Sequence, residues 1–202
     1  NYLNQSIILV TGAGGSIGSE LVRNCLTFDP DLLVLMDQSE HNLFKIEREC
    51  SQNKHPVSFQ PILGDIRDKA LLHRVFASFK PEVVFHAAAY KHVPMQENHP
   101  WEAVLTNING TLNLIDASED YGVERFVLVS TDKAVNPTNI MGATKRVAEK
   151  LIQSKSIDSK VKYMAVRFGN VIGSSGSVIP TFQEQIRNGG PVTITNPKMQ
   201  RY

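Results

Sequence analysis

The sequence predicts an α/β chain built on a doubly wound parallel sheet, followed by the start of a smaller, truncated lobe. Three observations predict it. Apolar runs suited to buried strands alternate with helical patterns along most of the 202 residues. The first such run, Ile7–Val10, passes straight into Gly12-Ala13-Gly14-Gly15-Ser16-Ile17-Gly18 and a helix start at Ser19–Arg23. The second, Leu32–Met36, ends on Asp37, about 20 residues beyond the glycines, where a ribose-binding carboxylate belongs.

Each element follows in order. Gly12, Gly15 and Gly18 have the spacing of a Rossmann dinucleotide turn: one for the tight turn, one for close approach to a pyrophosphate, one for helix–sheet packing. The positive end of the new helix then favours the anion. Glu40–Ser51 reads as a charged amphipathic helix and Val57–Ile62 as a third strand. Ala70–Phe79 is helical, and Val83–His86 is a short fourth strand. Pro100 opens a long helix over Trp101–Tyr121, placed where a missing N–H costs least. Arg125–Val129 is the fifth strand, Gly142–Gln153 a helix and Val161–Arg167 the sixth strand. From about Val171 the character changes. Gly173–Ser177 reads as a flexible segment, Ile179–Ile186 as a short helix and Pro191–Thr195 as a strand. The expected division is therefore a dinucleotide-binding domain over 1–170 and a partial substrate-binding segment over 171–202.

Composition narrows the class. A formal net charge of +1 with mixed signs gives no field for nucleic acid or an anionic membrane surface. The two cysteines, Cys25 and Cys50, fall inside predicted helices and read as buried thiols rather than a disulfide, which favours a reducing, cytoplasmic setting. No apolar run is long enough for a membrane span. The start at Asn1 has neither an initiator methionine nor a signal-peptide pattern, which marks the chain as part of something longer.

Ligands of such sheets bind outside the carboxyl ends of the strands, which turns strand ends into site candidates. Asp65, in Gly64-Asp65-Ile66-Arg67-Asp68, is placed to accept from an adenine amino group beside Ile66. Asp65 also suits a helix N-cap, but Asp68 fits that role at least as well. Ala87, Ala88 and Ala89 let backbone come close to a cofactor; tight helix–sheet packing is the other reading, and both can hold. Ser130-Thr131-Asp132-Lys133 closes the fifth strand, and Met141 and Lys145, four apart, share one helix face.

With these residues in view the chain resembles an extended short-chain dehydrogenase/reductase. More narrowly it resembles the polysaccharide-biosynthesis branch, the UDP-N-acetylglucosamine 4,6-dehydratases. The runs that carry the likeness are Thr11–Glu20, His86–Pro94, Ser130–Pro137, Met141–Lys145 and Arg167–Val171. The resemblance implies NAD as cofactor, with NADP second, a UDP-sugar substrate and a homo-oligomer. It also implies a polypeptide continuing past Tyr202, and a membrane link only through an amino-terminal region outside this chain.

The resemblance further implies a mechanism. Hydride leaves sugar C4, the 4-ketone acidifies C5–H, water is lost across C5–C6, and hydride returns to C6. Most members carry an acid/base tyrosine where Met141 stands, and a thioether carries no proton. Either the chain is inactive or other groups move the proton. By position Asp132 matches the acid for the leaving hydroxyl, and Lys133 stands where related enzymes have a glutamate base. Lys133 would need its pKa lowered by burial to serve as base; a solvated surface cation is the bland reading. Thr131 would bond the 4-hydroxyl and Lys145 the nicotinamide ribose. Asn170 resembles a substrate-diphosphate contact, or it bonds its own turn. Lys91 faces the sugar or its diphosphate, whereas His92 beside Pro94 reads as a loop residue. A UDP-sugar 4-epimerase and a non-catalytic dinucleotide sensor are the rival readings. The first normally needs the missing tyrosine, and the second has no use for Asp132 and Lys133.

Overall fold

In a computed structural model, residues 2–52, 57–169, 171 and 178–194 are described. The chain falls into two compact units, Asn1–Arg167 and Phe168–Tyr202. The first is the expected doubly wound sheet. Its strands are β1 (Ile7–Thr11), β2 (Leu32–Asp37), β3 (Phe59–Leu63), β4 (Val83–His86), β5 (Arg125–Thr131) and β6 (Lys162–Phe168). They lie in the order β3-β2-β1-β4-β5-β6, and the pairs β1–β2, β1–β4, β2–β3 and β4–β5 are parallel. The order reverses between β1 and β4, and a crevice at such a reversal is where ligands bind.

The central strands are buried on both faces, which is why they read as unbroken apolar runs rather than alternating ones. Leu9, Val34, Met36 and Val84 enter a core with Leu72, Phe76, Leu114 and Ile152. These last four come from α3 (Lys69–Phe79), α6 (Thr111–Asp120) and α7 (Ile140–Lys155). Ile8, Val10, Leu33 and Leu35 point the other way, against Val22 and Cys25 of α1 (Ser16–Leu26) and Ile46 and Cys50 of α2 (Glu40–Ser51). Both cysteines are free and buried, and burial pushes the Cys25 thiol up to about 12 and Cys50 to about 11.

Caps fix where these helices begin. Ser39 accepts from Asn42 N, Asp68 from Leu71 N and Asn139 from Gly142 N. Asp68 is thus the cap before α3, and the Asn139 cap starts α7 two residues ahead of the expected Gly142.

Two expectations are corrected, and one short helix is new. His92 keeps the loop position expected of it, as the N-cap of a short helix that the sequence did not declare, α4 (Val93–Asn98), with Pro94 in its first turn. The long helix expected over Trp101–Tyr121 is not one regular helix. Pro100–Ala103 (α5) is followed by a wider π-helical segment, Val104–Gly110, before α6 resumes. The expected strand at Pro191–Thr195 is absent over residues 191–194, and Thr195 lies outside the described residues. Its polar groups have local partners instead: Thr193 N donates to Gln185 Oε1 and Gln185 Nε2 donates to Thr193 Oγ1. Gln185 belongs to α8 (Val178–Arg187), the expected helix of the second unit.

Candidate active site

The β1–α1 turn is built by steric exclusion. Gly12 sits at φ +67°, and a Cβ there would meet the Ala88 nitrogen at 2.7 Å. A Cβ on Gly18 would collide with the Gly12 carbonyl, and one on Gly14 with the backbone of Asn42. Gly15 differs: its one close neighbour would be the Gly12 oxygen at 3.2 Å. The face beside Gly15 is thus open where a pyrophosphate would need it. Gly15 is also the N-cap of α1, with no side-chain cap and no acidic residue in the first turn. First-turn amides of a helix have no partner within it, so this end suits an anion.

A cleft of about 180 Å³ opens beside the turn. Gly12, Gly15, Asp37, Gly64, Asp65, Ile66 and the three alanines at 87–89 line it. Asp37 is buried at the end of β2, where Oδ2 accepts from Gly14 N and Oδ1 from Ser39 N, each at 2.9 Å. Ala88 packs against Gly12 while all three alanines face the cleft, so the packing and access readings hold together. Ile66, besides lining the cleft, packs its side chain into the core and against Gly110. Thr106, which the sequence reading passed over, is also on the cleft wall, and its buried Oγ1 has no partner among the described residues. An orphaned hydroxyl and an open glycine face fit a polar, phosphate-bearing ligand.

The second cluster lies at the end of β5. Thr131 Oγ1 donates to Asp132 Oδ1 at 2.8 Å, and Lys133 Nζ donates to the same oxygen at 3.0 Å. Partial burial works against the Asp132 carboxylate, but the Lys133 and Thr131 bonds hold it below its usual range. The pair is accessible, with 52% of the Asp132 side chain and 36% of Lys133 exposed. The burial expected to depress a lysine pKa is found at Lys145, whose side chain lies in the interior and whose ammonium is lowered to about 8 by desolvation, against Glu149. Met141 is buried one turn before it. Gly142 brings α7 onto this cluster: a Cβ there would meet the Lys133 carbonyl at 2.5 Å.

Three further residues escaped the sequence reading. Glu149 continues the Met141–Lys145 face and is almost wholly buried. It accepts from Ser130 Oγ at 2.6 Å, Arg167 at 2.6 and 2.7 Å and Arg146 at 3.2 Å. Burial alone would raise its carboxyl, but these donors hold it at about 2. Asn107, in the π-helical segment, clamps the chain after β4: Tyr90 N donates to its Oδ1, and its Nδ2 donates to Tyr90 O and Thr144 Oγ1. His86 is wholly buried between Thr11 and Thr111. Thr111 gives its proton to the Asn107 carbonyl, so His86 Nε2 must be the donor and Nδ1 accepts from Thr11. Burial, with Lys145 nearby, keeps this imidazole well below the usual histidine range. The four-residue spacing of Met141, Lys145 and Glu149 was the one available signal. Lys91 is exposed just before α4, and Asn170 lies outside the described residues.

The sequence model of the polysaccharide biosynthesis protein family matches residues 8–202. The chain belongs to that family. Over 202 residues it is 50% identical to the capsular polysaccharide biosynthesis protein CapD of Staphylococcus aureus, covering 99% of this chain and 34% of CapD. It is 36% identical to a UDP-N-acetylglucosamine 4,6-dehydratase (inverting) of Campylobacter jejuni, covering 98% of this chain and 59% of the enzyme. It is 35% identical to a UDP-glucose 4-epimerase of Rickettsia bellii, covering 96% and 58%. The chain thus spans between a third and three-fifths of the relatives it matches. Among solved structures, Pen from Bacillus thuringiensis superposes with a TM-score of 0.93 at 37% identity, over 100% of this chain and 64% of Pen. WbmG of Bordetella bronchiseptica, in complex with NAD and UDP, superposes at 0.70 and 27% identity, over 90% and 60%.

Proposed function

We propose that this chain forms the catalytic core of an NAD-dependent nucleotide-sugar 4,6-dehydratase, acting on UDP-N-acetylglucosamine in surface-polysaccharide synthesis. The observation that carries the reading is the β5 end. A buried Met141 stands at the tyrosine position, and the accessible Asp132–Lys133 pair supplies two groups able to hold a proton. The named dehydratase relative agrees with it.

The glycine face at Gly15 and the α1 amino end would hold the dinucleotide's diphosphate. Asp37 would take the adenine ribose; its carboxylate keeps lone pairs for two hydroxyls and repels a 2′-phosphate, hence NAD before NADP. The chemistry such a dinucleotide supplies is reversible hydride transfer, out of sugar C4 and back at sugar C6. The 4-hydroxyl would donate to Thr131, whose own proton is given to Asp132, so that the proton released at C4 oxidation passes through Thr131 onto the Asp132 carboxylate. Asp132, now protonated, would give that proton to the departing 6-hydroxyl. Lys133 in its neutral form would take the C5 proton and return it to C5 when hydride reaches C6. Lys145 bonds the nicotinamide ribose. Lys91 and Asn170 would meet the diphosphate, and residues 171–202 would begin the substrate lobe.

No helix among the described residues is long and apolar enough to cross a membrane. We place the reaction in the cytoplasm, where sugar nucleotides are made. Self-association would use the helical face on which Trp101 and Leu105, four apart, are exposed.

The second reading, a 4-epimerase, has its own relative at 35% identity. Incubating the full-length protein with UDP-N-acetylglucosamine in deuterated water separates the two. A dehydratase incorporates deuterium at C5 and yields a 4-keto-6-deoxy sugar; an epimerase does neither. Asp132→Asn and Lys133→Ala should each lower turnover by on the order of 10²-fold or more while NAD still binds. Near-normal turnover in either variant would remove that residue from its role.

A further inference from the structure

The loop after β3 holds an arginine that the dinucleotide fingerprint does not account for. Asp65 lines the cleft, with 26% of its side chain exposed. Its Oδ1 accepts from Arg67 N at 2.9 Å. Its Oδ2 accepts from Nε of the same arginine at 2.7 Å, and Nη2 stands 2.6 Å from that oxygen as an ion pair. The third nitrogen, Nη1, reaches Glu102 of α5 at 2.9 Å. Asn113 donates to the carbonyls of Ile66 and Arg67, each at 3.2 Å, so the loop backbone is also fixed.

An ionised carboxylate offers about four acceptor positions. Arg67 donates to one on each oxygen, and its Nη2 crowds the rest of Oδ2, which leaves the far side of Oδ1 as the open direction in which Asp65 can still accept. We propose that Arg67 is the positioning residue for base recognition: its fork locks the Asp65 carboxylate so that the remaining Oδ1 lone pair selects an exocyclic amino group, the mark of adenine. Glu102 holds the fork from behind. The inference rests on the reading of Asp65 as the adenine contact. It assigns to Arg67 a geometric role that a lysine, a point charge without a planar fork, does not fill.

Hypoxanthine replaces adenine's amino donor by a carbonyl acceptor, so the experiment compares NAD with its hypoxanthine analogue. Both dissociation constants are measured by calorimetry on the full-length protein. Their ratio is read on the folded sites alone, so a partly misfolded variant does not distort it. The wild type should prefer NAD by on the order of 10-fold or more. Asp65→Asn, whose amide can donate to the carbonyl, should erase or reverse that preference. Arg67→Ala and Arg67→Lys should each cut it several-fold, and Glu102→Gln should cut it less. If Asp65→Asn erases the preference while both Arg67 variants keep it, the assignment to Arg67 is overturned and the Asp65 reading stands. If the wild type shows no preference, or Asp65→Asn retains it, the Asp65 reading fails and takes the inference with it.

Discussion

The β1–α1 turn and the end of β5 are both strand ends on one sheet, yet they are built on opposite principles. The turn is made of backbone. Gly12, Gly14 and Gly18 are glycines because a neighbouring main chain occupies the space a side chain would need. The β5 end is made of side chains: Thr131, Asp132 and Lys133 bond one another at an accessible edge. Behind them a buried face of α7 carries Met141, Lys145 and Glu149. The difference follows from the tasks proposed for the two places. A site that grips the same phosphates through a whole reaction gains from immobility. Groups that donate and accept protons must stay able to change partner.

If that contrast is right, the largest effect of substitution belongs to the turn. Gly18→Val drives a side chain into the Gly12 carbonyl, so cofactor binding in a fluorescence titration should vanish. Gly15→Ala should instead leave the fold intact, since its Cβ would meet only the Gly12 oxygen at 3.2 Å and a shift of a few tenths of an ångström relieves it. It should weaken binding by standing on the face proposed for the diphosphate. Equal damage from both would break the distinction.

Next in size is Glu149→Gln, which removes the buried charge that Arg167 and Arg146 share and should lower the urea midpoint. The drop should be less than for a wholly buried pair, because 38% of the Arg167 side chain is exposed and its charge stays solvated. The pH dependence has a definite sign. Folded Glu149 titrates at about 2, below its ordinary value of 4.5. Its contribution is therefore complete above about pH 4.5 and is lost as pH falls toward 2. The variant should lack that acid limb.

Lys145 gives a second limb of the same sign, at alkaline pH. Its ammonium is lowered from 10.5 to about 8, so the unfolded chain binds the extra proton between those values. Stability should rise as pH climbs from about 8 to 10.5. Cofactor affinity, which uses the charged form, should fall over the same climb, and titrations at pH 7 and 9.5 read both. The smallest stability effect belongs to Asp132→Asn. Its half-exposed ion pair contributes roughly 0–1 kcal/mol, so a thermal melt should barely move even as turnover collapses.

What was legible in the sequence follows the same division. A glycine whose side chain is forbidden leaves a mark at one position, so the turn could be read directly, and so could Asp37 and the Asp68 cap. Unbroken apolar strands with helices between them declared the sheet. The π-helical segment could not be read this way: a seven-residue change of hydrogen-bond step leaves no periodic trace, and with it went Asn107 and Thr106. Glu149 looked like any helix-surface carboxylate because its meaning lies in Ser130 and Arg167, distant in sequence. Pro191–Ile194 has the β-branched residues of a strand but no partner strand, and composition does not report partners.

Gly142 has a consequence for Lys133. Because α7 rests directly on the Lys133 carbonyl, that residue is pinned at its root, while its charged tip meets the Asp132 carboxylate at an accessible edge. Any residue with a Cβ at 142 would shift the pin and so re-aim the tip. Substitutions there would be felt in the direction of proton delivery before they were felt in folding.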